Sequence, residues 1–162
     1  MKSLVVYSSK SGNTRKLAEA AFAALPDGSS EIFPVSEAPD PAGYDLVVTA
    51  FWLMAGKPDP ASSEFLASLG QTRLFLAATH GAAADSDHAR AALQHAKETA
   101  SSAEVVGTFN CQGEVSPGLL EKASKKEPPP PWLGDAPAAV GHPDESDLAA
   151  LRKALLDSIV AG

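Results

Sequence analysis

Little in this chain can be cross-linked, held by thiols or threaded through a bilayer. Only one residue of 162 is a cysteine, Cys111. A disulfide within the chain and a cysteine-only zinc site are both excluded, and Cys111 is expected as a small core residue. No apolar run approaches the ~18 residues of a membrane span. The opening run Leu4-Val5-Val6-Tyr7 is shorter than the ~7–15 residues of a secretory apolar region, and Ser8 to Lys16 is polar. No membrane association and a cytoplasmic location are therefore expected. Basic residues are the minority, 13 Lys and Arg against 20 Asp and Glu, for a formal charge of −7. Such a surface repels phosphate backbones, which argues against nucleic acid, and attracts a partner protein with a basic docking face.

Several signatures are also missing. There is no G-x-x-x-x-G-K-[ST] and no G-x-G-x-x-G, so neither a nucleoside-triphosphate loop nor a dinucleotide fingerprint is present. There is no G-x-S-x-G of a Ser-His-Asp hydrolase. A phosphoryl-accepting receiver domain needs acidic residues after the first strand and an Asp after the third. Tyr7-Ser8-Ser9 and Phe51-Trp52 stand there instead. His80, His88, His95 and His142 show no metal-ligand spacing.

What is present is alternation. Apolar runs predict strands at Leu4–Tyr7, Leu46–Phe51 and Arg73–Thr79, with more polar strands at Glu31–Val35 and Glu104–Phe109. Between them lie a helix from Asn13 to Leu25, stopped by Pro26-Asp27-Gly28, one opened by Asp59-Pro60 and ended by Gly70, and one capped within Asp85-Ser86-Asp87. Ser116-Pro117 opens a short helix, and Asp144 to Asp147 opens a last one with Leu148, Leu151, Leu155 and Ile159 on one face. Residues 1–162 read as one domain, with a Pro-rich insertion at about 111–143 that includes Pro128 to Pro131. The class is α/β, a doubly wound parallel sheet with helices on both faces. In such sheets a ligand sits outside the carboxyl ends of the strands.

The loop after the first strand is the most informative. Ser8-Ser9-Lys10-Ser11-Gly12-Asn13-Thr14 leads straight into a helix, where unpaired backbone N–H groups point outward. Hydroxyls, an amide and a glycine can wrap a phosphate with mainly neutral donors. That suits a terminal phosphate monoester such as that of FMN.

Val5 to Thr14 resembles the first strand and phosphate loop of flavodoxins, a strand followed by Ser/Thr-x-Ser/Thr-Gly-Asn-Thr. Ser9, Ser11, Gly12, Asn13 and Thr14 match, and Lys10 falls where the family varies. The resemblance covers about Lys2 to Phe109 and the last helix. The segment Asn110 to Gly141 departs from the short-chain pattern. It is similar to a subgroup encoded by anaerobic and other bacteria, some of which assist flavin reductases such as the bilirubin-reducing enzyme.

The resemblance implies a flavodoxin-like five-stranded sheet of order 2-1-3-4-5 and a non-covalent FMN, with no side chain acting as acid or base. Ser8, Ser9, Lys10, Ser11, Gly12, Asn13 and Thr14 would hold the phosphate. Phe51, Trp52, Leu53 and Gly56 would lie beside the flavin ring after the third strand, with Trp52 covering one face and Gly56 near N5. Thr79, His80, Gly81 and Asp85 would line the loop after the fourth. The tyrosine that often stacks there is absent, so His80 is the flat substitute, and the small residues Gly81 to Ala84 admit the pyrimidine edge. Cys111-Gln112-Gly113 either closes the site or turns into the extra segment. The implied role is an electron carrier between a reductase and a partner redox enzyme. The alternative is an FMN-dependent NAD(P)H or quinone reductase on the same fold.

Overall fold

The computed structural model describes residues 1–26 and 28–161; Asp27, in the predicted Pro26-Asp27-Gly28 stop, lies outside the described residues. The strands are β1 (Ser3–Tyr7), β2 (Ser30–Pro34), β3 (Leu46–Met54), β4 (Lys57–Pro58), β5 (Arg73–His80) and β6 (Glu104–Gln112). The helices are α1 (Asn13–Ala24), α2 (Pro60–Ser68), α3 (Asp87–Thr99), α4 (Pro117–Ser124) and α5 (Glu145–Val160), with a 3₁₀ stretch at Leu133–Ala139. The sheet order is β2-β1-β3-β5-β6, all parallel, and β4 pairs antiparallel with the end of β3. With β4 set aside this is the expected order.

Burial explains the layering. Val5, Val48, Ala50, Phe75 and Ala77 pack on Leu17 and Ala21 of α1 and on Leu151 and Leu155 of α5. Their neighbours along the strands, Leu4, Val6, Val47, Phe51, Leu74 and Leu76, pack on Leu66 of α2 and Ala96 of α3. Strands covered on both faces are apolar at nearly every position, which is why three of them stood out in the sequence. The edge strand β2 is only half-buried throughout. Cys111 is a buried core residue, and burial, then Asp147 and Asp144, pushes its thiol up to about 12.

Three boundaries differ from the sequence-based expectation by more than one residue. β3 runs three residues further, to Met54, and turns back through Ala55 and Gly56 at φ 52° and 76° into β4. Two central residues at positive φ are the mark of a tight type I′ hairpin. Phe51, Trp52 and Leu53 therefore belong to a strand, not to a loop. β6 likewise continues through Cys111 and Gln112, so neither lies in a turn. The extra segment begins and ends at a clasp: Glu114 N–H donates to the His142 carbonyl (2.8 Å) and Gly141 N–H to Glu114 Oε1 (2.9 Å). The excursion is thus residues 114–142.

The pairing of β5 with β6 slips between Leu74 and Phe75, leaving Phe75 opposite Gly107. A Cβ on Gly107 would come within 2.1 Å of Ser158 Oγ and 3.0 Å of the Phe75 ring. Gly107→Ala is expected to lower folding stability by ~1–3 kcal/mol through overpacking, read as a shift of the urea midpoint at unchanged slope.

Candidate functional site

The β1–α1 loop is built around one backbone angle. Gly12 is the N-cap of α1 with φ 95°, and as a glycine it brings no side-chain cap of its own. A Cβ at Gly12 would meet open space, so the positive φ and not crowding calls for glycine. Ser9 Oγ accepts from Gly12 N–H (3.1 Å) and Arg15 N–H (3.2 Å), which curls the loop. The N–H groups of Lys10, Ser11, Asn13 and Thr14 have no acceptor among the described residues. Four unpaired donors at the positive end of a helix dipole form an anion site. Their chemistry, neutral N–H and hydroxyl donors with one lysine beside them, fits a phosphate monoester.

Asn13 and Thr14 also do structural work. Thr14 is buried, with Oγ1 2.8 Å from Oγ1 of Thr79 at the end of β5. One hydroxyl of such a pair keeps a free hydrogen. Asn13 Nδ2 donates to the Glu114 carbonyl at 3.0 Å, tying the loop to the excursion.

Strand alternation separates the β3 residues. Phe51 is fully buried against α2 and α3 and offers no ligand surface, a correction to its expected place beside a ring. Leu53 packs against the same cluster. Trp52, half-buried, lies on the α1 side, with Lys10 Nζ 5.6 Å from its ring centre. Gly56 sits in the hairpin with His88 Cε1 3.5 Å from its would-be Cβ.

The β5–α3 loop is more closed than its small residues suggest. His80 is buried, and its Nε2 pairs with Asn110 Oδ1 at 2.8 Å. Burial pushes its pKa down against the opposing effect of the hydrogen bond that Nε2 donates to Asn110 Oδ1. It is a packed neutral ring with no open face, so it does not replace an outer aromatic. The room at Gly81 is already taken: a Cβ there would lie 2.9 Å from Val115 Cγ2 and 3.1 Å from Trp132 Cε3. Asp135 Oδ2 accepts from Ala83 N–H at 2.9 Å, and Gln112 Nε2 donates to the Gly81 and Asp135 carbonyls, each at 3.1 Å. Asp85 is exposed and accepts from Arg90 through its backbone carbonyl. Ser86 is the residue that caps α3.

The structure thus gathers Ser8 to Thr14, Trp52, Thr79 and Gly81 at one edge, and adds Val115, Trp132 and Asp135, which sequence reasoning missed. A separate surface groove lies at the opposite, amino end of the sheet, lined by Tyr44, Thr72, Arg73 and Glu104. A family model described as a flavodoxin domain matches residues 4–156. The chain belongs to the flavodoxin family. A curated relative, the flavodoxin-like domain-containing protein BilS of Clostridium symbiosum (strain WAL-14163), is 31% identical, over 99% of this chain and 97% of its own. Among solved structures, the flavodoxin of Streptococcus pneumonia TIGR4 matches with a TM-score of 0.65 at 14% identity over 100% of both chains. A flavoprotein of Lactobacillus acidophilus NCFM in complex with FMN matches with a TM-score of 0.52 at 20% identity, over 76% of this chain and 99% of its own. This flavodoxin domain therefore carries its family's sheet together with the excursion 114–142.

One further cluster was invisible in the sequence. Ligand atoms of His142, Asp144 and Asp147 lie within 4.8 Å of one another. They already have partners. Asp144 and Asp147 form the capping box of α5, and His142 Nδ1 lies 2.6 Å from Asp147 Oδ2.

The two histidines titrate with opposite consequences. His142 is raised above its ordinary 6.5 by the hydrogen bond to Asp147. Its contribution to stability is full below 6.5 and is lost as pH rises through the raised value. His80 is lowered from 6.5, so its contribution is full above 6.5 and is lost as pH falls through the lowered value. Urea midpoints measured from pH 5 to 8 are expected to lose their alkaline decline in His142→Asn, and their histidine-linked acid decline in His80→Gln.

Proposed function

We propose that this flavodoxin-family protein binds FMN non-covalently and carries electrons through it between a reductase and a partner redox enzyme. The observation that carries the reading is the row of four unpaired N–H groups at Lys10, Ser11, Asn13 and Thr14, held open by Gly12 at the carboxyl edge of the sheet. A structural neighbour from Lactobacillus acidophilus holds FMN, which supports the same cofactor.

Bound FMN supplies one- and two-electron redox chemistry. The chain's residues bind and orient it. Backbone donors and the Ser8, Ser9 and Ser11 hydroxyls take the phosphate oxygens, and Lys10 places a positive charge between that site and Trp52. Trp52 gives the ring an aromatic wall. His80, neutral and paired to Asn110, neither donates nor removes a proton at neutral pH. The acidic surface, −7 overall, steers a partner with a basic face by long-range attraction. This exchange takes place in the cytoplasm.

Titration of apoprotein with FMN, riboflavin and FAD tests the cofactor. FMN is expected to bind at least about a hundredfold more tightly than riboflavin, the worth of two charge-assisted hydrogen bonds. Equal affinity for the two would overturn the phosphate assignment. Sustained oxidation of NADH or NADPH by the holoprotein with a quinone, and no added reductase, would favour the reductase reading instead. Trp52→Ala is expected to weaken FMN binding by ~2–3 kcal/mol and to shift the flavin potentials.

A further inference from the structure

Trp132 is the chain's other tryptophan, and it lies eighty positions from Trp52 in an excursion that crosses the surface. We infer that Trp132 forms a second aromatic wall of the flavin cleft and that Asp135 positions it. The inference rests on the FMN reading above.

Register and alternation place the two rings. Ala50 and Ala77 face α1 and α5. Two residues on, Trp52 faces the same side, as does Thr79, its partner in register and the contact of Thr14. Gly81 follows directly on the end of β5, two residues past Thr79. The atoms that would meet a Cβ there are Val115 Cγ2 at 2.9 Å and Trp132 Cε3 and Cδ2 at 3.1 and 3.5 Å. The six-membered part of the indole therefore rests on bare backbone, one strand over from Trp52 and just beyond it.

A side chain at position 81 would collide with Val115 and crowd the indole. Trp132 is half-buried, so that packing does not close the residue off. Its place is fixed from below: Asp135 N–H donates to the Trp132 carbonyl (3.0 Å), while Asp135 itself accepts from Ala83 N–H and, through its carbonyl, from Gln112. This clamp ties the indole to the loop at its foot, so little ordering is left for the ligand to bring about. A flat ring entering beside Trp52 from the phosphate site has this second indole as its other aromatic neighbour.

The test uses the full chain and variants Trp132→Ala, Trp132→Phe and Asp135→Ala, each titrated as apoprotein with FMN and with riboflavin. Trp132→Ala is expected to weaken both flavins by the same factor, about tenfold, because the contact is with the ring and not the phosphate. Trp132→Phe should recover most of the loss. Asp135→Ala should lower both affinities while leaving the FMN-to-riboflavin ratio unchanged. A second readout is flavin emission, which aromatic side chains quench only near contact. Emission should rise from Trp52→Phe holoprotein to the Trp52→Phe, Trp132→Phe double variant. Wild-type affinity for both flavins in Trp132→Ala, or equal emission in that pair, would overturn the inference and leave the FMN reading standing. Failure of the unaltered protein to bind either flavin would overturn both.

Discussion

Double burial of β1, β3 and β5 decides where every polar group of this protein can go. With helices on both faces, side chains in the middle of these strands meet almost only apolar neighbours, Thr49 being the buried polar exception. A parallel sheet with crossover helices then delivers helix amino ends to the carboxyl edge of the strands. The unpaired N–H groups at the start of α1 arise at that edge because the chain has nowhere else to turn. Gly12, at a φ of 95°, converts that necessity into a concave row of donors.

Around that row the chain holds itself together by polar contacts that span long stretches of sequence. Thr14 meets Thr79, Asn13 meets Glu114, and Gln112 bridges Gly81 and Asp135. Each bond joins segments distant in sequence at this edge of the sheet, and the hydroxyl pair is buried. A buried polar pair is costly to break, since the partner left behind loses ~1–3 kcal/mol of solvation uncompensated. Loops that would otherwise sample many shapes are therefore fixed before any ligand arrives.

The fold was legible because burial writes itself into composition. Leu4 to Tyr7 and Arg73 to Thr79 are apolar at nearly every position, and Asp59, Ser86 and Ser116 announced the helices they cap. The end of β3 was not legible. An apolar run ending in Ala55-Gly56 lacks the Asn-Gly or Asp-Gly that marks a two-residue hairpin, and Ala55 enters positive φ with no such signal. Phe51 could not be told from Trp52, since both are aromatic residues near a strand end. Only the register of β3 against β5 sends one into the core and the other to the edge. Trp132 was hidden for a different reason. Its neighbours Gly81 and Val115 are distant in sequence, and a Pro-rich context carries no periodicity from which to infer a direction.

The clasp at Glu114 has a wider consequence. The excursion leaves the body at 114 and rejoins it at 141 and 142, joined there by two hydrogen bonds. Closing a loop whose ends already meet costs only slightly more as residues are added. The excursion can therefore lengthen, shorten or be exchanged for another while the sheet and the phosphate loop stay as they are. The molecule is thereby modular at one point: a fixed sheet and β1–α1 loop under a replaceable cover.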